Sequence, residues 1–180
     1  MAITPDTKDW TWVMERACPE CGYDPDSVRR TDVGDRIARS AAGWEAVLAR
    51  PGVAVRPDER TWSPLEYGCH IRDVHRIMRS RLALMLSYDE AVADGARFAN
   101  WDQDATADED DYTAQDPAVV ARELAAAAAD FADAYRAVGA DQWERRGLRS
   151  NGSAFTVDSF ARYALHDLEH HRVDVGLARG

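Results

Sequence analysis

The sequence has no uninterrupted apolar run long enough to cross a bilayer, which takes about 20 residues. Its start, Met1 to Asp9, lacks the basic opening and apolar stretch of a secretory leader. Cysteine is scarce: three residues do not make a disulfide scaffold and fit a reducing compartment. These absences predict a cytoplasmic protein with no membrane partner. A basic patch is missing too. The formal charge is -10 and arginine is interspersed with acids, so nucleic acid is not an expected partner. A convincing set of strand patterns is also absent. What the chain does have is 46% hydrophobic residues in 180, enough for one core of ordinary size.

The pattern that remains is helical. The first thirty residues read as irregular, with Trp10, Trp12, Cys18-Pro19-Glu20-Cys21-Gly22 and a turn at Asp24-Pro25-Asp26. Apolar positions at Ile37, Ala41, Trp44, Val47 and Leu48 then predict a helix from near Asp32, ended by Arg50-Pro51-Gly52. The second helix has a clear start: Ser63 as cap, Pro64 at the first position, Glu66 closing a capping box and Trp62 stapled onto Tyr67. It is expected to reach about Leu86. Residues 87–116, rich in acids from Asp102 to Asp111, read as a solvated loop. Asp116-Pro117 begins a third helix that runs to about Gly139, and residues 147–154 read as a loop. Thr156 begins a fourth helix, ending near Leu177. The expected fold is all-α, a four-helix bundle with a long connection between its second and third helices. Residues 1–31 form an irregular N-terminal segment and residues 32–180 the bundle.

Three of the five histidines lie in Ala164-Leu-His-Asp-Leu-Glu-His-His-Arg. His166 and His170 are four apart and share a helical face with Tyr163, Val173 and Leu177. His171 points about a third of a turn further round and is not expected to share their site. His70 sits on a mainly apolar stripe of the second helix with Tyr67, Val74, Ile77 and Arg81, while His75 faces elsewhere. The expected metal ligands are His70, His166 and His170. Three neutral imidazoles suit zinc, nickel, iron or cobalt and leave room for water or substrate. Asp73 could orient a histidine, and Glu169 could do the same or act as a base. The competing reading of each histidine alone is a hydrogen-bonded core residue.

Trp62-Ser63-Pro64-Leu65-Glu66-Tyr67-Gly68-Cys69-His70-Ile71-Arg72-Asp73 resembles the W-S-x-x-E-x-x-x-H-x-x-D signature of the DinB/YfiT-like superfamily. His166-Asp167-Leu168-Glu169-His170-His171 resembles its late helix motif. The likeness extends from about Asp32 to the C-terminus. It implies a four-helix bundle, a homodimer in many members, and a divalent metal held by three histidines, here His70, His166 and His170. Zinc is the first expectation, with nickel and iron as the others. Relatives include mycothiol-dependent maleylpyruvate isomerases and thiol-dependent transferases. The approach to the last helix and the arginine- and alanine-rich composition resemble an actinobacterial branch, which makes mycothiol the implied thiol. The implied activity is thiol S-transfer or isomerisation on a small electrophile. Arg81 or Arg149 would meet a substrate carboxylate. Hydrolysis with metal-activated water is the enzymatic alternative, and a non-enzymatic metal-binding or stress-related bundle is the other.

Cys18-Pro19-Glu20-Cys21-Gly22 departs from that pattern. C-P-x-C-G is half of a zinc-ribbon knuckle, but a structural zinc needs four ligands, no second C-x-x-C exists, Cys69 is the only other cysteine, and His75 or His171 would contribute only if the fold allowed it. A tight turn packing two thiols beside Trp10 and Trp12 is the first expectation; an accessory metal or thiol role is the second. Cys69 is expected to pack inside the bundle.

Overall fold

The computed structural model describes residues 8–87 and 94–178. The first seven residues of the N-terminal segment, part of the expected loop at 88–93 and the last two residues therefore lie outside the described residues. Six α-helices are present among the described residues: α1 (Val33–Ser40), α2 (Trp44–Leu48), α3 (Pro64–Ser87), α4 (Gln103–Glu109), α5 (Pro117–Arg136) and α6 (Val157–Asp174). α1 with α2, α3, α5 and α6 make the four-helix bundle, and α3 packs most extensively against α5. None of the described helices is long and apolar enough to cross a membrane.

Local chemistry accounts for the ends. Ser63 and Glu66 form the capping box of α3: the Ser63 N–H donates to Glu66 Oε2 at 2.9 Å, and the Glu66 N–H donates to Ser63 Oγ at 3.2 Å. The Trp62 and Tyr67 rings meet edge to face at 5.6 Å, the apolar staple beside it. Asp116 caps α5 through the Ala118 and Val119 N–H groups, with Pro117 behind it. Thr156 and Ser159 cap α6 reciprocally.

Three expectations are corrected. The first helix is two pieces, because Gly43 takes φ +88° between them, a left-handed conformation that ends α1 and restarts the chain as α2. The acidic run is not all loop: Asp102 accepts the Ala105 N–H and caps α4, none of whose residues is fully buried. A small sheet also exists, in the order β1 (Ala96–Phe98), β2 (Arg146–Arg149), β3 (Ala154–Thr156). β1 runs parallel to β2, and β2 antiparallel to β3. Strands of three or four residues are too short to show a periodicity in sequence.

The core lies between the long helices. Ile37, Trp44, Ile71, Phe131, Phe160 and Leu165 are all essentially inaccessible. Each contributes roughly 1.5–3 kcal/mol of burial. One half-buried and one buried arginine fix the rotation of α6 within this packing. Arg36 donates to Glu169 Oε1 from Nε at 3.0 Å and Nη2 at 2.6 Å. Arg172 Nη1 donates to the Ser40 carbonyl at 2.8 Å.

Glu66 carries a second load, since Arg56 donates to it from Nε to both carboxylate oxygens at 3.0 Å. Burial alone would raise its pKa, but the Arg56 and Ser63 donors outweigh burial and hold it below the usual carboxylate value. Its stabilisation is therefore present at neutral pH and fades as pH falls through that depressed value. Glu66→Ala should cost about 3 kcal/mol in urea unfolding at pH 7, against about 1 kcal/mol for Ser63→Ala. The gap between them should shrink in acid.

Candidate metal centres

The Thr156 cap sets the start of α6, and helical pitch does the rest. Residues four apart stack on one face, and each residue advances about 100°. Within His166-Asp-Leu-Glu-His-His this makes two side-by-side ligand pairs, 166 with 170 and 167 with 171. The structure gives the two pairs different partners.

Asp167 and His171 join His70 of α3. The three donor atoms lie within 4.8 Å of one another. His70 Nε2 is 3.7 Å from Asp167 Oδ1, and His171 Nε2 is 3.2 Å from the same oxygen. Donors about 2.0–2.2 Å from a tetrahedral ion stand about 3.3–3.6 Å apart, so the spacing fits one divalent metal. His70 is fully buried, yet neither of its ring nitrogens has a hydrogen-bond partner. A buried polar group left that way is costly unless something binds it. His171 is oriented from behind: its Nδ1 lies 2.7 Å from Asp174 Oδ2, the carboxylate–histidine arrangement of metal sites. Burial opposes charge on His171, but Asp167 and Asp174 outweigh it and push its pKa up to about 9. A metal would displace that proton.

Aromatic rings wall this centre. Trp101 stacks on the His70 imidazole at 5.3 Å with planes 5° apart, and Trp62 approaches it at 5.1 Å. Tyr67 sits 5.2 Å from the His171 ring. The centre faces a cleft of about 940 Å³ whose lining includes Trp10, Trp62, Trp101, Tyr163, Arg149 and Asp167.

His166 and His170 turn to the neighbouring face. There they meet Cys18 and Cys21, again with all donor atoms within 4.8 Å of one another. Burial holds His166 neutral, pushing its pKa down to about 4.

The expected trio of His70, His166 and His170 is therefore divided. The reason is rotational: the face of α6 turned toward His70 carries 167 and 171, one residue on from the expected pair. His171, set aside by the helical wheel, stands with His70. Asp167 escapes a search confined to histidine, although a carboxylate is an ordinary metal ligand. The pair 166 with 170 was visible in the sequence; that 167 and 171 would be the pair to meet α3 was not.

The other expected site residues also separate. Asp73 does not reach a histidine ring. It accepts from Arg72 Nε at 2.9 Å and Nη2 at 2.8 Å, and from the Tyr112 hydroxyl at 2.7 Å. Glu169 is paired with Arg36. Arg81 donates to the Ala99 carbonyl at 2.8 Å, lies over the Phe98 ring, and does not line the cleft. Burial, then the nearby Arg149, lowers its pKa to about 10. Arg149 alone of the four lines the cleft, and its Nη1 donates to the Tyr163 hydroxyl at 3.2 Å. His75 is a hydrogen-bonded core residue, 2.7 Å from the Ile71 carbonyl. Cys69 is buried in the bundle as expected.

A family model described as the DinB superfamily matches residues 46–174. The fold is similar to that of YfiT from Bacillus subtilis, described as a probable metal-dependent hydrolase with an unusual four-helix bundle topology. The TM-score is 0.68 at 16% identity, over 83% of this chain and 88% of that one. No curated protein matches the chain.

Because Asp73 sits in a buried ion network, Asp73→Ala should cost about 3 kcal/mol in chemical unfolding while bound metal per folded chain stays unchanged. Loss of metal at unchanged stability would return Asp73 to the centre.

Proposed function

The chain belongs to the DinB superfamily, and we propose that it is a metal-dependent enzyme whose centre is His70, Asp167 and His171, acting on a small electrophile with a low-molecular-weight thiol of the mycothiol type. One observation carries this reading: His70, a buried imidazole whose ring nitrogens lack hydrogen-bond partners, converges with Asp167 and His171, and those two line a large cleft. A purely structural ion would be enclosed by four protein ligands, whereas three protein ligands leave a position for chemistry. Zinc fits this donor set first, with nickel and iron also compatible.

The bound metal supplies Lewis acidity that favours the deprotonated form of an incoming thiol or water at neutral pH. The protein's own groups do the positioning. Asp174 holds His171 in one orientation. Trp62, Trp101 and Tyr67 pack aromatic rings against His70 and His171, lowering the local polarity around them, which strengthens electrostatic interactions there. Tyr163 accepts from Arg149, so its own O–H is left to donate into the cleft. Burial raises the Tyr163 pKa, which keeps that proton in place and makes the residue a donor rather than a base. A substrate oxygen that gains charge during attack would meet this donor.

The cleft favours transfer between two molecules. At about 940 Å³ it stands at the upper end of ordinary ligand pockets, room for a thiol cofactor and an electrophile together. Hydrolysis is the second reading. What favours it is the fold's likeness to YfiT, described as a probable hydrolase.

The test uses zinc-loaded protein with a panel of epoxides, alkyl halides and activated double bonds, with and without mycothiol, products being read by mass spectrometry. A thiol adduct should form, and His171→Ala should slow it roughly 100-fold or more while helical content is retained. Asp174→Ala should weaken metal binding about 10- to 100-fold. Turnover of esters or amides that ignores the thiol would select hydrolysis. Unaltered turnover in His171→Ala would remove the centre from the reaction.

A further inference from the structure

The cluster of Cys18, Cys21, His166 and His170 has no part in the proposed reaction. Its four donors come from two separate elements, the N-terminal segment and α6, and lie within 4.8 Å of one another. Cys18 Sγ is 3.9 Å from His170 Nδ1. In a tetrahedral zinc site, sulfur and nitrogen ligands stand about 3.6 Å apart. Four protein donors complete such a site, and the mixture of two thiolates with two imidazoles is one that selects zinc.

The backbone around the cysteines has the form of a metal knuckle. The Gly22 N–H donates to the Cys18 carbonyl at 2.7 Å, and the Cys18 N–H to the Tyr23 carbonyl at 2.8 Å. Gly22 takes φ +70°, which lets the chain reverse directly after the second cysteine. The Tyr23 N–H points at Cys21 Sγ, 3.4 Å away, as backbone donors do toward a metal-bound sulfur.

Burial supplies the independent sign of a ligand. Cys18 is 1% exposed, Cys21 8% and His166 5%. His166 Nε2 is buried with no hydrogen-bond partner. An imidazole enclosed beside two thiols and lacking a partner has one of its polar atoms unaccounted for. His170 turns Nδ1 to Cys18, while its Nε2 stands 3.9 Å from both Glu20 and Asp174, carboxylates on the far side of the ring.

We propose that Cys18, Cys21, His166 and His170 hold a structural zinc that staples the N-terminal segment to α6. On binding, the two thiols release their protons to solvent, and two thiolates neutralise the dication. The buried centre is then uncharged, which avoids the large penalty of an unpaired internal charge. What the staple secures is a wall of the cleft. Trp10 stacks on His166 at 5.3 Å, the turn Thr11–Met14 packs on α6, and Trp10 lines the cleft. The ligands differ from those of the proposed catalytic centre, so either site can fail without the other.

The experiment loads metal-free, full-length protein with cobalt(II), a tetrahedral probe for zinc, and records its absorption. The wild type should show the sulfur-to-cobalt charge-transfer band with intense visible bands, and two metals per chain. Cys18→Ser/Cys21→Ser should lose that band and one equivalent. His171→Ala should keep the band and lose the other equivalent. Should the double cysteine variant not fold, the wild type still decides: Cys18 and Cys21 should resist a thiol reagent with metal bound and react once a chelator is added. Limited proteolysis of the chelated protein should then cut between residues 8 and 32. Cobalt bound without a charge-transfer band, a band that survives in the cysteine variant, or thiols equally reactive with and without metal would each overturn the proposal.

Discussion

An α-helix turns about 100° per residue, and in α6 that angle separates two chemistries. His166 and His170 look toward the N-terminal segment, while Asp167 and His171 look toward α3. A rotation of α6 by one residue would turn both pairs away from their present partners and dissolve both clusters. The fold must therefore hold the helix against rotation. The Thr156–Ser159 box fixes its start. Arg36 on Glu169, and Arg172 on the carbonyls of α1 and its exit, fix its azimuth from the opposite side. Phe160, Leu165 and Leu168 fill the core between these polar clamps.

This division of labour explains why several polar residues near the centre do no chemistry. Asp73 and Glu169 lie one turn or less from candidate ligands, yet each is consumed by an arginine. A buried carboxylate held by guanidinium donors loses much if its partner is removed and is a poor base. The groups left for ligands or substrate are those without such a partner: the two ring nitrogens of His70, His166 Nε2, and the hydroxyl proton of Tyr163.

The helices were legible because their signals are local. Ser63-Pro64-x-Glu66 and Asp116-Pro117 announce their starts within four residues. The three short strands were not legible, since β1 finds β2 across some fifty residues of chain. The histidine-rich run reads as one ligand pair, His166 with His170, but the sequence also holds the register 167 with 171 and gives no local cue to the azimuth of either. The two missing ligands of Cys18 and Cys21 escaped for the same reason. They lie on an element nearly 150 residues away, and nothing local in the sequence singles out His166 and His170 over His75 or His171.

The measurement that tests this account most directly is a crystal structure of the zinc-loaded protein with anomalous differences recorded at the zinc edge. The account predicts two peaks: one among His70, Asp167 and His171, and one among Cys18, Cys21, His166 and His170. A single peak bound by His70, His166 and His170 together would contradict it, because that ion would require α6 to stand one residue away from the rotation on which both sites depend.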